Sequence, residues 1–410
     1  MAHSRLRSTV AALSAVLLAS AALTLAAPAP EAKAATTVRY AGADRYATSV
    51  EISKWSPWPG DTVFLASGTS FPDALAAGPV AAAEGAHLLL TTRDSVPASV
   101  MAELRRLGTS KVILVGDQNA IADTVNWQLY RELGVAVERI AGANRVQTSL
   151  ALLDRLHDTT PISEIWVVSG WNFPDALVAG SIAGRNGGGI ILDWHGSSAN
   201  DIEAWRQQTM PYYQGIPVRI AGSGASVSDY DQQIIAWSGA SEVSRYAGSD
   251  RYETARVIHD TFTPWVDSST MVLATGQNFP DALGGSVFAA VRDVPLYLTP
   301  TNCHDAIAAM LRGERDQRGI QTVIGLGGVP SLSERSLQLQ GCPPPPPPPV
   351  QPPPTTPQPP AGPAPSNDVD CGDFATQAQA QAWFNYYFPQ YGDIGRLDRD
   401  NDGRACESLP

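Results

Sequence analysis

The stretch Arg39-Tyr-Ala-Gly-Ala-Asp-Arg45 decides how this chain folds, because it occurs three times. The later copies are Arg139-Ile-Ala-Gly-Ala-Asn-Arg145 and Arg245-Tyr-Ala-Gly-Ser-Asp-Arg251, which start 100 and 106 residues after the copy before. A second landmark follows each copy, namely Phe71-Pro-Asp-Ala-Leu75, Phe173-Pro-Asp-Ala-Leu177 and Phe279-Pro-Asp-Ala-Leu283. Two landmarks in register across three copies indicate three tandem repeats of one structural unit.

Each repeat alternates short apolar runs with longer helical stretches, a pattern typical of a parallel sheet flanked by helices. The sequence therefore predicts three Rossmann-like or flavodoxin-like α/β units in series. In the first repeat we expect strands at 62–66, 87–91, 111–115 and 136–140, and helices at 73–83, 98–107 and 124–133. The matching central strands of the later repeats are expected at 190–192 and 296–298.

The first residues predict export. Arg5 and Arg7 precede an uncharged apolar run at 10–27, and a small-residue cleavage site follows at Ala32-Lys33-Ala34, with Ala27-Pro28-Ala29 as a second candidate. This is the pattern of a signal peptide, so the mature chain should begin near Ala35. A membrane anchor is the alternative, but the run is at the short limit for a bilayer span. We expect no membrane span after cleavage.

The charge of the chain excludes some classes of partner. The formal net charge is −12, and removal of residues 1–34, which carry a net +2, leaves −14. So acidic a chain is a poor candidate for binding nucleic acid or anionic membrane surfaces.

All four cysteines lie in the last quarter of the sequence, where an exported chain would form disulfides. Three pairings are possible. We favour Cys303–Cys342 and Cys371–Cys406, because a proline-rich stretch separates the two pairs.

The repeated aspartates Asp73, Asp175 and Asp281 lie at capping-box spacing from a polar residue, since Ser70, Asn172 or Asn278 precedes each by three positions. A proline falls in the first turn of each predicted helix, which also suits a helix start. We interpret these aspartates mainly as helix caps, with ligand contact or catalysis as alternatives.

The second arginine of each copy, Arg45, Arg145 or Arg251, should project from the first turn of another helix, capped by Asp44, Asn144 or Asp250. A guanidinium there opposes the helix dipole, so it should pair with a carboxylate such as Asp73 or meet an anion. Both helix starts should lie at the carboxyl ends of parallel strands, where open α/β sheets bind ligands. No copy contains GxGxxG or a Walker lysine, which argues against a nucleotide.

These landmarks, in three exported copies of about 100 residues, resemble the cell-wall-binding repeat 2 family over residues 39–339. The resemblance implies flavodoxin-like or toprim-like units in a pseudo-threefold arrangement. It also implies non-covalent attachment to an anionic polymer of a Gram-positive wall, teichoic-acid-like or a secondary wall polysaccharide. The second copy departs at Asn144 and Val146. The positions that carry over as candidate polymer-binding residues are Arg39, Arg45, Asp73, Arg139, Arg145, Asp175, Arg245, Arg251 and Asp281.

The tail begins with a stretch at 343–365 that is mostly proline, which favours a stiff polyproline II spacer. A ligand for a proline-binding domain is the alternative. The expected organisation is a signal peptide at 1–34, repeat units at 36–137, 138–243 and 244–342, a proline-rich linker at 343–366 and a small module at 367–410.

The small module contains Asp398-Arg-Asp-Asn-Asp-Gly403, the carboxylate spacing of a calcium loop, but Glu407 falls at loop position 10 rather than 12. The module resembles the excalibur calcium-binding domain. The resemblance implies that carboxylates of Asp398, Asp400, Asp402 and Glu407 and the carbonyl of Arg404 bind calcium. An acidic turn stabilised by a disulfide is the alternative.

The leading hypothesis is therefore a secreted, non-enzymatic cell-surface protein that is attached to a wall polymer and carries a calcium module on a proline-rich stalk. A hydrolase that uses the repeated aspartates is the alternative, although no Ser/His/Asp, Cys/His or zinc-ligand set repeats with the units. A third hypothesis is that the tail module carries the function, by binding calcium or a partner, and that the repeats only tether it.

Overall fold

The computed structural model describes residues 35–193, 199–262, 264, 267, 269–344 and 363–410. The predicted signal peptide and most of the predicted linker lie outside the described residues. The chain forms two compact units, which meet in sequence at Cys342 and Pro343. Within the described part of the chain, no helix is long and apolar enough to cross a membrane.

The three repeats have the same order of strands and helices. The first repeat contains β1 (Thr36–Tyr40), α1 (Arg45–Ser53), β2 (Thr62–Ser67), α2 (Pro72–Ala83), β3 (His87–Thr91), α3 (Ala98–Leu107), β4 (Lys111–Val115) and α4 (Asp123–Leu133). The second contains β5 (Ala136–Ile140), α5 (Arg145–Thr159), β6 (Ile165–Ser169), α6 (Pro174–Asn186), β7 (Gly189–Asp193), α7 (Ala199–Thr209), β8 (Pro217–Ala221) and α8 (Asp229–Trp237). The third contains β9 (Glu242–Tyr246), α9 (Arg251–Thr261), β10 (Thr270–Thr275), α10 (Pro280–Arg292), β11 (Leu296–Thr299), α11 (Asp305–Arg318), β12 (Thr322–Leu326) and α12 (Glu334–Leu337). The strands and helices predicted for the first repeat agree with these bounds to within one residue.

The strands form three parallel four-stranded sheets, in the orders β3-β2-β4-β5, β7-β6-β8-β9 and β11-β10-β12-β1. This is a flavodoxin-like order, so the predicted α/β fold is confirmed. The first strand of each repeat completes the sheet of another repeat, and the boundaries predicted at 137 and 243 fall inside β5 and β9. Strand β1 pairs with β12, from Thr36 opposite Thr322 to Tyr40 opposite Leu326, and this pairing closes the three units into a ring.

Helices α2, α6 and α10 pack against one another at the centre of the ring. They are built largely from alanine, glycine and other small apolar residues, as expected for helices buried on all sides. The rings of Phe71, Phe173 and Phe279 meet at one end, with centroids 5.5, 5.8 and 6.0 Å apart. These three contacts mark the pseudo-threefold axis.

The predicted capping boxes at α2, α6 and α10 are wrong. Each helix begins at its proline, so the N-cap residue is Phe71, Phe173 or Phe279, and no side chain caps the helix. Ser70, Asn172 and Asn278 therefore lie one residue too early to cap. The reason is packing, because the aromatic side chain at the N-cap position joins the cluster on the axis.

The caps predicted for α1, α5 and α9 are confirmed. The side chain of Asp44 accepts a hydrogen bond from the Ala47 N–H, and Asn144 accepts one from Gln147. Asp250 accepts two, from Tyr252 and Glu253. Each arginine that follows these residues is the first residue of its helix.

Two disulfides are present, and their pairing is the one favoured from the sequence. Cys303 is joined to Cys342, with Cα atoms 5.1 Å apart, and Cys371 to Cys406, with Cα atoms 5.5 Å apart. The second disulfide fastens a small module whose one long helix is α13 (Gln377–Tyr391). Its core contains Val369, Phe374, Trp383, Phe384 and Leu397.

The close packing of the central helices predicts a large effect of one methyl group. A Cβ atom added at Gly184 would lie 2.8 Å from the Ala82 Cβ and 3.2 Å from the Pro79 Cα. We therefore expect Gly184→Ala to lower the free energy of unfolding by about 1–3 kcal/mol in urea denaturation. Gly180→Ala, in the same helix, meets only ordinary contacts beyond 3.4 Å. That variant should leave the free energy of unfolding unchanged or raise it by up to about 1 kcal/mol. An equal loss of stability in both variants would contradict this account of the packing.

Candidate functional site

The first arginine of each copy is engaged within the protein. Its Nη1 donates to the carbonyl of the glycine that follows β12, β4 or β8, at 2.7 Å for Arg39, 2.8 Å for Arg139 and 2.9 Å for Arg245. Each also lies near an acidic residue at the start of the next helix. The three acidic partners are Glu334 (2.9 Å), Asp123 (3.1 Å) and Asp229 (3.5 Å). These arginines hold the strand-to-helix turns.

The second arginine of each copy also donates to a carbonyl, from Nη1 to Gly68, Gly170 or Gly276. The rest of the guanidinium lies beside an aromatic ring in two of the copies. The Cζ of Arg145 is 4.2 Å from the centre of the Trp171 ring, and that of Arg45 is 6.0 Å from the centre of the Phe279 ring. The sequence expectation that these arginines project from a first helical turn is confirmed.

Each repeated aspartate lies against the glycine that follows a strand of its own repeat. Gly116 and Gly222 have φ of 103°, and Gly327 has φ of 92°. A Cβ at these three glycines would lie 2.6, 2.6 and 2.2 Å from the Oδ2 of Asp73, Asp175 and Asp281. The glycines are required both by their positive φ and by the aspartate that occupies the adjoining space.

The arginine that acts on each aspartate comes from another repeat. The positive charge of Arg145 favours the ionised form of Asp73. Arg251 has the same effect on Asp175, and Arg45 has it on Asp281. The sequence predicts Asp73 as an internal carboxylate partner for these arginines, and the arginine whose charge acts on it is Arg145, the first residue of α5 in the second repeat. The two landmarks of a single repeat therefore belong to two different sites.

The residues that make these contacts line two pockets. One, of about 270 Å³, is lined by the α2 start (Ser70, Pro72, Asp73), the turn after β4 (Asp117, Asn119, Ala120) and the α5 start (Gly142, Ala143, Asn144, Arg145, Thr148). The other, of about 210 Å³, is lined by the α10 start (Asn278, Pro280, Asp281), the turn after β12 (Gly328, Pro330, Ser331) and the α1 start (Gly42, Ala43, Asp44, Arg45, Thr48). We call these pockets the seam pockets, because each lies at the carboxyl ends of strands from two repeats. Neither is lined by Arg39, Arg139 or Arg245.

Burial raises the pKa of all three repeated aspartates, which we call the seam aspartates. It raises the pKa of Asp73 and Asp281, against the opposing effects of hydroxyl hydrogen bonds and of the arginines. Burial raises the pKa of Asp175 to about 6, although Arg251 and Ser226 favour its ionised form. The same burial lowers the pKa of Arg145. Each site thus combines one arginine with a carboxylate whose pKa is raised by burial.

The threonines of the seam pockets are not among the functional residues predicted from the sequence. Thr48 and Thr148 hydrogen bond to Asp281 and Asp73, and their Oγ1 atoms accept the N–H of Gly42 and Gly142, both at 3.1 Å. Thr254 accepts the N–H of Gly248 in the same way, at 3.0 Å. A signal was available, because a threonine stands three residues after the second arginine in every copy.

The acidic loop of the small module brings together three of its five predicted metal ligands. One carboxylate oxygen from each of Asp398, Asp400 and Asp402 lies within 4.8 Å of the others. Glu407 lies outside that group, and its Oε1 is 3.7 Å from the Nη1 of Arg404. Asp398 is buried, and its two oxygens accept the N–H groups of Asp402 (3.1 Å) and Gly403 (2.9 Å). The turn therefore presents hard oxygen ligands, as a calcium ion requires.

The pKa of Asp175 predicts a dependence of stability on pH. A buried carboxylate with a folded pKa of about 6, against an ordinary 3.8, binds its proton more tightly in the folded protein. Its ionisation therefore weakens the fold as pH rises from about 4 to 6, by on the order of 2 kcal/mol. We expect Asp175→Asn to remove this part of the slope in urea unfolding at pH 4 to 7, whereas Asp229→Asn should retain it. Parallel slopes for wild type and Asp175→Asn would contradict the burial effect.

Two curated proteins and two solved structures resemble this chain over about three quarters of its length. The chain is 26% identical over 297 residues to N-acetylmuramoyl-L-alanine amidase LytC of Bacillus subtilis (strain 168), a match that covers 72% of this chain and 56% of LytC. It is 27% identical over 303 residues to the amidase enhancer of the same organism, covering 73% and 39%. Cwp6 from Clostridium difficile superposes with a TM-score of 0.63 at 28% identity, covering 75% and 48%. Cwp8 from the same species shares the fold, with a TM-score of 0.61 at 24% identity, covering 74% and 51%. The chain thus spans about half the length of these proteins.

Family matches cover both parts of the chain. Cell wall binding domain 2 (CWB2) matches residues 39–126, 139–231 and 245–337, and the Excalibur calcium-binding domain matches residues 369–407. These matches agree with the two resemblances drawn from the sequence and with the three sheets of the ring. The chain therefore belongs to the cell wall binding domain 2 family, and an Excalibur domain follows its three repeats.

Proposed function

We propose that this chain is a secreted cell-surface protein that binds an anionic wall polymer non-covalently at the seams between its repeats. The observation that carries this proposal is the seam pocket, where an arginine at a helix start meets a buried aspartate of another repeat. Both seam pockets lie at the carboxyl ends of parallel strands, where α/β folds bind their ligands. Membership of the family supports binding to the wall, and the choice of an anionic polymer rests on the pocket.

The seam pockets suit a polymer that carries hydroxyl groups as well as anionic groups. In the first pocket, Asp73 and Asp117 outnumber the one arginine, Arg145, so a bare polyanion would meet repulsion. Hydroxyl groups of a sugar or polyol can instead donate to these carboxylates, while the guanidinium and the helix N-terminus attract a phosphate or carboxylate. A teichoic-acid-like polymer or a charged secondary wall polysaccharide has both kinds of group.

The first arginines are less suitable for this role than we predicted. Arg39, Arg139 and Arg245 already donate to carbonyl oxygens and lie near acidic residues, away from the pocket linings. We therefore place polymer contact at Arg45 and Arg145 and keep the first arginines as residues that position the turns.

Wall binding can be tested with purified sacculi. We expect the double variant Arg45→Gln/Arg145→Gln to bind at least about tenfold more weakly, since each charged hydrogen bond contributes about 1.5–3 kcal/mol. Arg105→Gln, which removes an exposed arginine paired with Glu132 (3.1 Å), is the matched control and should bind as wild type does. Wild-type binding should fall with added salt and after chemical removal of anionic polymers. Equal binding to stripped and intact walls would refute an anionic ligand.

The same assay tests the second candidate function, hydrolysis of the wall. It is favoured by the similarity to the amidase LytC and by the raised pKa of the seam aspartates, a property of general acids. Soluble fragments released by wild type but not by the triple variant Asp73→Asn/Asp175→Asn/Asp281→Asn would support a hydrolase. If the chain only attaches to the wall, neither the wild type nor the triple variant should release fragments.

We also propose that the Excalibur domain binds calcium through Asp398, Asp400 and Asp402. Three carboxylates that converge within 4.8 Å repel one another, and a bound cation would relieve that repulsion. The hydrogen bonds to Asp398 already form the turn, so the ion would meet a preformed loop. Glu407 and the Arg404 carbonyl are the remaining candidate ligands.

Calcium titration of the full chain tests this site by calorimetry. We expect wild type to bind one ion, and Asp400→Asn/Asp402→Asn to lose detectable binding because two of three anionic ligands are neutralised. Asp368→Asn, an exposed acid of the same module, is the control and should bind as wild type does. Undiminished binding by the double variant would place calcium elsewhere.

A further inference from the structure

A third pocket, of about 210 Å³, lies in the ring and has no role in the proposed function. Its lining includes the aromatic side chains of Tyr40, Trp55 and Phe288 and the charged side chains of Asp267 and Arg292. The first two of these residues belong to the first repeat and the other three to the third. The pocket therefore depends on closure of the ring.

This pocket lies at the opposite edge of the sheet from the seam pockets. Thr270 and Thr322, the first residues of β10 and β12, also line it. It is therefore at the amino ends of these strands, whereas the seam pockets are at the carboxyl ends. We call it the amino-end pocket. A ligand bound here would not occupy either seam pocket.

The aromatic residues form a flat wall that is partly open to solvent. The rings of Tyr40 and Trp55 are stacked, with centroids 5.2 Å apart and an angle of 9° between their planes. Phe288 meets Tyr40 edge-on, with centroids 5.8 Å apart. Tyr40 and Phe288 are buried, but Trp55 is 56% exposed. Stacking on Tyr40 thus positions the indole of Trp55 while a large part of it remains accessible to a ligand.

An aromatic side chain occupies the corresponding position in the other two repeats. Phe64, Trp166 and Val272 each stand four residues before the glycine that follows their strand. Phe64 and Trp166 are fully buried. Val272 is paired with Ile324, which lines the amino-end pocket, and residues paired in this way point to the same face of a sheet. The small valine in place of an aromatic ring accounts for the open space in the third repeat.

Two groups of opposite charge line the pocket beside the aromatic wall. Arg292, the last residue of α10, is exposed, and within the described part of the chain it forms no ion pair. Asp267 accepts a hydrogen bond from the Ser269 hydroxyl at 2.7 Å. Burial raises the pKa of Asp267, but the hydrogen bonds of Ser269 and Thr270 and the charge of Arg292 outweigh it and lower the pKa below its ordinary value. The pocket thus offers an ionised acceptor and a guanidinium donor whose charges cancel.

This combination of groups is complementary to an uncharged sugar ring. The C–H groups on one face of such a ring can pack against the negative face of an indole. Its hydroxyl groups can donate to the carboxylate of Asp267 and accept from the guanidinium of Arg292. Because the two charges cancel, the pocket has no net attraction for an ion. Its volume is below the roughly 300–1,000 Å³ of pockets that hold drug-sized ligands, so it suits a single ring.

We propose that the amino-end pocket binds one uncharged hexose ring, which stacks on Trp55 and forms hydrogen bonds with Arg292 and Asp267. The same ring chemistry occurs in a free sugar and in a hexose unit of a wall glycan. This site is separate from the seam pockets in both position and ligand, so the chain would hold an anionic polymer at one edge of its sheets and a neutral sugar at the other.

Saturation-transfer difference NMR of the full mature chain tests this proposal. The probes are glucose, galactose and N-acetylglucosamine, with glucuronate as the charged counterpart of glucose. We expect saturation transfer to the ring protons of at least one uncharged sugar, and less to glucuronate than to glucose. Trp55→Ala and Arg292→Gln should each weaken the affinity for that sugar at least about threefold. Trp127→Ala, which removes another exposed tryptophan (60%), is the matched control and should bind as wild type does.

Three results would overturn the proposal. These are no transfer to any of the uncharged sugars, transfer that both pocket variants leave unchanged, and stronger transfer to glucuronate than to glucose. Far-ultraviolet circular dichroism of each variant shows that the chain is folded. Because this readout requires no anionic polymer and no calcium, failure here is distinguishable from failure of wall binding at the seams or of the calcium site.

Walls stripped of anionic polymers distinguish the two sources of the ring. A hexose unit of the wall glycan is the ligand if Trp55→Ala binds stripped walls at least about threefold more weakly than Trp127→Ala does. Equal binding of the two variants to stripped walls, together with saturation transfer to a free hexose that Trp55→Ala weakens, supports a free sugar as the ligand of the pocket.

Discussion

The parallel pairing of β1 with β12 is the contact on which the rest of the ring depends. Without it, the sheet of the third repeat would lack its fourth strand, and β12 would expose unpaired backbone groups at its edge. With it, the start of the first repeat is brought beside the end of the third. The same pairing places Arg45 and Thr48 next to Asp281, so one of the seam pockets exists only because the ring is closed.

The exchange of strands between repeats also explains the electrostatics of the seams. Each repeated aspartate is covered by the first helix of another repeat, and this burial outweighs the nearby arginine in setting its pKa. A single repeat would leave its aspartate exposed and its arginine far from any such carboxylate. Each seam pocket is therefore formed by a pair of repeats, which gives a physical reason for the tandem arrangement.

The Excalibur domain is stabilised in a different way from the ring, because it is too small to bury a large core unaided. A disulfide and a compact aromatic cluster around Trp383 and Phe374 hold it together. Its acidic turn is formed by hydrogen bonds to the buried Asp398. These local constraints hold the acidic loop against helix α13, where Gln381 donates to the Gly403 carbonyl.

Much of this architecture was predictable from the sequence, because its signals are local and periodic. Alternating apolar runs located the strands and helices of the first repeat, and Asp44, Asn144 and Asp250 were correctly identified as caps from their place before a helix. The tertiary structure decided which landmarks meet. Asp73 and Arg45 stand in one repeat, yet Asp73 faces Arg145 and Arg45 faces Asp281, since each repeat gives its first strand to another sheet. It also decided the start of α2, where packing of Phe71 on the axis displaced the expected cap at Ser70. Contacts of this kind depend on which strand completes which sheet, and no local pattern of residues encodes that choice.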